Sequence, residues 1–161
     1  MASAYFDSSA LVKRYVNEVG SAWVRRMLSH PRQEIIYTAL LTQAEVLSAL
    51  QRKVRERHLT QDRATILAQR VISHCAWRYR LLAISPTLVT HASVLLQTYP
   101  LRAYDAIHPA CALSVQHRAQ QYSVPHPLFV SADATLLTAA AAEGFVVDNP
   151  LLHPEGGSDE S

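Results

Sequence analysis

The sequence predicts a single-domain, three-layer α/β sandwich: a central, mostly parallel sheet of about five strands covered by helices. Three observations carry this reading. Short apolar runs alternate with longer stretches of helical period from one end of the chain to the other. Strands that alternate with helices are the pattern of parallel sheets, because a parallel pair needs a crossover connection. With 161 residues, the chain has the size of one domain and buries enough surface to fold without disulfides or structural metals. No linker splits the body and no repeat appears. Residues 1–150 therefore read as one domain, followed by a flexible acidic tail over 151–161.

Each element has a local reason. Ala4-Tyr5-Phe6, Ile35-Ile36-Tyr37, Leu81-Leu82-Ala83-Ile84, Leu128-Phe129-Val130 and Phe145-Val146-Val147 are short, apolar and bounded by polar or turn residues, as buried strands are. Between them, helices are expected after Asp7 to about Val19, from Gly20 to Ser29 and from Thr42 to Arg57. A long helix is expected over Thr60 to Tyr79, another after Pro86 to Thr98, and two more near Asp105 and Asp133. Trp23 and Trp77 fall on helical stretches and read as core or interface residues.

Composition excludes several function classes. The four glycines, Gly20, Gly144, Gly156 and Gly157, form neither a G-x-x-x-x-G-K-[ST] nor a G-x-G-x-x-G loop, so the common phosphate cradles are absent. No apolar run has membrane-spanning length and the N-terminus lacks the signature of a signal peptide, which predicts a soluble, cytoplasmic protein. Cys75 and Cys111 lie in apolar helical stretches and read as reduced, buried thiols. Without C-x-x-C, and with scattered histidines, zinc is disfavoured. The acids Glu155, Asp159 and Glu160 belong to the tail, which leaves 15 basic against 10 acidic groups in the body. Thirteen of those cations are arginine, whose planar fork suits phosphate oxygens. That balance permits a polyanionic partner; it equally suits a basic surface kept for solubility.

In open α/β sheets, ligands bind beyond the carboxyl ends of the strands. Four acids map to such junctions. Asp7 ends the first strand, Glu45 sits in the first turn of the helix after the second, Asp105 opens a helix after Arg102-Ala103-Tyr104, and Asp133 follows Leu128-Phe129-Val130. Singly, Asp7, Asp105 and Asp133 read well as helix caps, and Thr42-x-x-Glu45 spells a capping box. Capping does not explain why four carboxylates converge on one edge in apolar surroundings. Clustered, buried anions need a cation, and an all-carboxylate set favours Mg²⁺ or Mn²⁺.

The motifs around these acids resemble those of PIN-domain ribonucleases of the VapC toxin type. Tyr5-Phe6-Asp7-Ser8-Ser9-Ala10-Leu11-Val12-Lys13-Arg14-Tyr15 is similar to the opening of that family, and Thr42-Gln43-Ala44-Glu45-Val46 to its second acidic motif. Leu101-Arg102-Ala103-Tyr104-Asp105-Ala106-Ile107-His108 resembles the third motif. Phe129-Val130-Ser131-Ala132-Asp133, followed by an Ala-rich helix and Gly144, resembles the fourth. The likeness covers about residues 2–150. It implies a Mg²⁺- or Mn²⁺-dependent endoribonuclease in which Asp7, Glu45, Asp105 and Asp133 hold one or two ions and do the catalytic work on RNA. It implies that Ser9 and Ser131 orient the first and last of these carboxylates. A small antitoxin partner and a homodimer are likewise implied by resemblance alone. Two features depart from the family. Pro109 cannot return an amide to the Asp105 carbonyl, which predicts a displaced start of that helix. Thr135 and Leu136 stand where many members carry a further carboxylate.

Lys13, Arg14 and Arg102 flank these motifs and are candidate contacts for RNA phosphates. The run Arg52, Lys53, Arg55, Arg57 reads better as a solvated helix face. His108 reads as a core or hydrogen-bonded histidine rather than a ligand. Two other functions stay open: an RNA-processing PIN nuclease without an antitoxin, and an inactive RNA- or protein-binding module whose carboxylates only cap helices. A haloacid-dehalogenase-type phosphatase is disfavoured, because that family needs a second Asp where this chain has Ser9.

Overall fold

The computed structural model of the chain describes residues 2–29 and 34–154. Five strands form one sheet: β1 Ala2–Phe6, β2 Glu34–Ala39, β3 Arg80–Leu82, β4 Leu128–Val130 and β5 Val147–Asp148. Their order is β3-β2-β1-β4-β5, and every pairing is parallel. Seven helices make the crossovers: α1 Ser8–Leu11, α2 Ser21–Ser29, α3 Thr42–Arg55, α4 Gln61–Trp77, α5 Pro86–Thr98, α6 Ala103–Gln121 and α7 Ala134–Ala142. The expected three-layer sandwich is therefore what forms.

The layers follow from the two-residue period of the strands. In β1, Ala4 and Phe6 face a core shared with Leu11, Val24, Val46, Leu50 and Val71, from the α1–α4 side. Tyr5 points the other way, into a core with Phe129, Leu95, Ala110 and Leu136 from α5, α6 and α7. Tyr5 and Phe129 are register partners, and their rings stack at 5.3 Å between centroids.

Several elements differ from expectation for identifiable reasons. The helix after Asp7 stops at Leu11 and tightens into a 3-10 turn, Val12–Arg14, because Tyr15 and Val16 turn inward and are buried. β5 is two residues long: Phe145 leaves it to enter the core, while Val146 is exposed. The folded body also runs past residue 150. Pro150–Leu152 form a second 3-10 turn, and His153 stacks on Trp23 at 4.3 Å and bonds Asp148 at 2.7 Å. The expected tail is thus ordered at least to His153, and its acidic residues lie outside the described ones. Trp77 is not a core residue, being 90% exposed. Cys75 and Cys111 are free and buried, and burial pushes the Cys111 thiol up to about 12. Among the described residues, no helix is long and apolar enough to cross a membrane.

Candidate functional site

The register of β1 on β4 builds the first half of the site. Phe6 pairs with Val130, so the residues just beyond them, Asp7 and Ser131, meet at the carboxyl edge of the sheet. Asp7 turns the chain with an extended ψ of 175° and caps α1, accepting from the Ala10 amide at 2.9 Å. It also accepts from the Ser9 hydroxyl at 2.8 Å and the Ser131 hydroxyl at 2.7 Å. Both hydroxyls accept in turn: Ser9 from the Ala132 amide at 2.9 Å, Ser131 from the Asp133 amide at 3.0 Å. Two serines thus tie the first motif to the fourth, each hydroxyl donating its proton to Asp7 and accepting one amide. Asp7 is nearly fully buried, and burial raises its pKa; the His108 charge, the Ala10 amide and the two hydroxyls oppose that rise. Asp133 caps α7, its Oδ1 accepting from Thr135 at 2.8 Å and Leu136 at 3.1 Å.

His108 builds the second half. It is fully buried in α6; its Nδ1 lies 3.0 Å from the Tyr5 hydroxyl and its Nε2 3.0 Å from Glu45 Oε2. Burial alone would lower its pKa. The bond to Glu45 and the charges of Asp7, Glu45 and Asp105 outweigh burial, and the pKa ends above the usual histidine value. The ring therefore senses three of the four carboxylates at once. Burial first, then Cys111 and the anions of Asp7 and Glu45, push the Tyr5 hydroxyl well above its ordinary range.

Capping accounts for only half of the acids. Asp7 and Asp133 do cap helices. Glu45 does not close the capping box: Thr42 receives a bond from Thr38 at 2.7 Å, and the Glu45 carboxylate goes to His108 instead. Asp105 lies in the first turn of α6, which begins ahead of it at Ala103 with Arg102 in the cap position. The displaced helix start expected from Pro109 is not seen; α6 runs unbroken through the buried proline.

An open pocket of about 510 Å³ lies between α1, α3 and the start of α6, lined by Ser9, Glu45, Ser48, Arg52 and Tyr104 among others. Arg52, read from the sequence as part of a solvated helix face, is exposed on this wall, and Tyr104 was not among the candidate residues. The signal was present, since Arg52 follows Glu45 by seven residues and so shares its helix face, and Tyr104 adjoins Asp105.

Of the candidate phosphate contacts, Lys13 is a correction. It is buried and ion-paired with Glu18 at 3.2 Å, and Lys53 shares the same carboxylate. Arg14 donates to the Tyr79 hydroxyl at 3.0 Å and faces a different cleft. Arg102 is exposed at the head of α6.

Among the described residues, no three of the His, Cys, Asp and Glu side chains form a ready-made metal cage. Ser131 ties the Asp7 carboxylate to the backbone amide of Asp133, whose own carboxylate turns to the amides of α7, while Glu45 bonds His108 and Asp7 and Asp105 act on that ring by charge. The donor set nonetheless fits a hard divalent cation. It offers carboxylate oxygens, with Asp7 oriented by two serine hydroxyls and Glu45 by His108.

The sequence matches the family model described as PIN domain over residues 4–120. Among curated proteins no sequence relative matches. Among solved structures, a toxin–antitoxin complex from Klebsiella pneumoniae is similar at 20% identity and a TM-score of 0.53, covering 91% of this chain and 97% of that one. VapC20 of Mycobacterium tuberculosis, described as a sarcin–ricin loop cleaving toxin, is similar at 15% identity and a TM-score of 0.59, covering 89% and 96%. VapBC2 of Rickettsia felis, bound to a fragment of its promoter DNA, is similar at 9% identity and a TM-score of 0.59, covering 91% and 98%. At these identities the structural likeness speaks for the fold.

Proposed function

Because the chain belongs to the PIN-domain family, we propose that it is a divalent-metal-dependent endoribonuclease and the toxin of a toxin–antitoxin pair, acting in the cytoplasm. The observation that carries the nuclease reading is the gathering of carboxylates around buried His108. Glu45 bonds the ring directly at 3.0 Å, the charges of Asp7 and Asp105 act on it, and the Ser131 hydroxyl joins the Asp7 carboxylate to the backbone amide of Asp133. Four anions from four distant segments are costly to assemble for capping alone, and two of them cap nothing.

In this reading Asp7, Glu45, Asp105 and Asp133 hold one or two Mg²⁺ or Mn²⁺ ions. When bound, such an ion supplies charge neutralisation at the scissile phosphate and a water made more acidic. The chain's own residues do the rest. The hydroxyls of Ser9 and Ser131 fix the Asp7 oxygens, His108 holds Glu45, and the open pocket beside Glu45 admits the strand. Arg52, exposed on its wall, offers a fork to a phosphate, and Arg102 flanks the same edge. The toxin assignment and the small antitoxin are supported by the family and by the toxin–antitoxin complexes that share the fold; the homodimer follows from the family resemblance alone.

The deciding experiment incubates purified protein with structured RNA in Mn²⁺, in EDTA and as the Asp7→Asn variant. Cleavage in Mn²⁺ alone is expected. Equal cleavage in all three rejects the proposal.

A further inference from the structure

Behind the acids of the site lies a buried polar chain. Tyr5 stands two positions before Asp7 in β1, and His108 three positions after Asp105 in α6, so both sit one step inward from a carboxylate. The Tyr5 ring is fully buried, stacked on Phe129 and edge-on to the His108 ring at 6.1 Å between centroids. Packing alone asks only for a phenylalanine at this place. The buried hydroxyl is an added cost that its partners must offset.

Those partners lead back to the site. The Tyr5 hydroxyl lies 3.0 Å from His108 Nδ1 and also bonds the Cys111 thiol, one turn further along α6. On the other side of the ring, His108 Nε2 lies 3.0 Å from Glu45 Oε2. A carboxylate can only accept, so Nε2 carries the proton of that bond. Nδ1 is then left to Tyr5: a neutral ring accepts the phenol proton there, and a charged ring donates to the phenol oxygen. In either state the hydroxyl is the group that Nδ1 meets. Rotation of an imidazole about its Cβ–Cγ bond is soft, because that torsion has broad wells. Two bonds on opposite sides of the ring pin it, and one alone does not. Glu45 depends on that pinning, since His108 is its one hydrogen-bond partner among the described residues.

We infer that Tyr5 is a positioning residue for Glu45: its hydroxyl, acting through the His108 ring, sets where the Glu45 oxygen stands. The inference rests on the proposed reading of Glu45 as a metal ligand and extends that site one residue into the core.

Calorimetric titration of the full-length protein with Mn²⁺ tests it without any cleavage step. Tyr5→Phe is expected to bind Mn²⁺ at least about tenfold more weakly, as for other residues that orient a metal ligand. Tyr37→Phe, at the register partner of Tyr5 in β2, removes a hydroxyl that does not bond His108 from the same core. It should leave the affinity unchanged. A His108→Gln background separates action through the ring from action on the strand. There, adding Tyr5→Phe should cost less than about twofold, because the two changes break one chain. Nitrogen-15 spectra of the metal-free protein read the ring itself: the His108 Nδ1 resonance should move in Tyr5→Phe and stay in Tyr37→Phe. Equal Mn²⁺ affinity in wild type and Tyr5→Phe overturns the inference and leaves the metal reading standing. So does a loss from Tyr5→Phe that is as large in the His108→Gln background, or an Nδ1 resonance that does not move. A wild-type protein that binds no Mn²⁺ overturns the metal reading and the inference with it.

Discussion

Ser131 is the residue on which the geometry of the carboxylate pocket turns, because its single hydroxyl donates to Asp7 and accepts from the Asp133 amide while fully buried. Ser131→Ala leaves that amide unpaired, and a loss of about 1–3 kcal/mol is expected in thermal denaturation. Mn²⁺ affinity, read by calorimetric titration, should fall about 10–100-fold, as for other residues that orient a metal ligand. Asp7→Asn should behave differently. Burial raises the folded-state pKa of Asp7 above its unfolded value, so its contribution is full at low pH and is lost as pH rises through the folded value. At neutral pH the bare carboxylate is a cost, and the neutral Asn variant should melt higher without metal while losing the Mn²⁺ response. His74 runs the other way. Its folded pKa, about 4, lies below the unfolded 6.5, so stability is lost as pH falls from about 6.5 towards 4. A His74→Gln variant should show a flatter dependence of Tm on pH over that window. How much of this was legible in the sequence depends on distance along the chain. The pairing of Ser9 with Asp7 was implied by the family resemblance, whereas Ser131, expected to orient Asp133, gives its proton to Asp7 and meets only the backbone amide of Asp133. The partner of Glu45 could not be read, because His108 lies 63 positions away and the local Thr42-x-x-Glu45 pattern points to a box that does not form.

At the scale of elements, helix and strand identities were legible because period and turn residues are local signals, whereas their ends were set by packing. The helix expected to reach Val19 fails beyond Arg14 because Tyr15 and Val16 are drawn into the core, and that inward turn buries Lys13. Nothing in the sequence flags Lys13 as spent, since its partner Glu18 could as well face solvent. Two glycines show the same dependence on tertiary packing. Gly20 and Gly144 both adopt positive φ, 85° and 89°. A Cβ on Gly20 would lie 2.2 Å from the Pro150 carbonyl oxygen, whereas one on Gly144 meets nothing closer than 4.0 Å. Gly144→Ala should therefore cost about 1–2 kcal/mol, the penalty of the left-handed backbone alone. Gly20→Ala should cost clearly more, because it also pushes the Pro150–Leu152 turn off α2. Chemical denaturation of the two variants side by side checks the order, and equal losses would mean that the close approach to Pro150 contributes nothing.

For the molecule as a whole, the four acids of the proposed site come from segments far apart along the chain, so the unfolded chain has no equivalent of it. A cation that binds there must stabilise the fold by mass action, by about 2.7 kcal/mol at a concentration a hundredfold above its Kd. For a domain of this size that is a rise in Tm of roughly 5–10 °C. Mn²⁺ and Mg²⁺ are expected to produce it, and EDTA to reverse it. The variants separate this from weak surface binding. Asp7 and Asp105 come from different elements, the end of β1 and the first turn of α6, and both act on His108 by charge. If one ion binds both acids, Asp105→Asn and Asp7→Asn should each abolish most of the shift. If they hold separate ions, each variant should remove part of it and the double variant the rest. A shift that survives the double variant would place the ion elsewhere on the surface, and the carboxylate edge would then have to be explained by capping and the bond to His108.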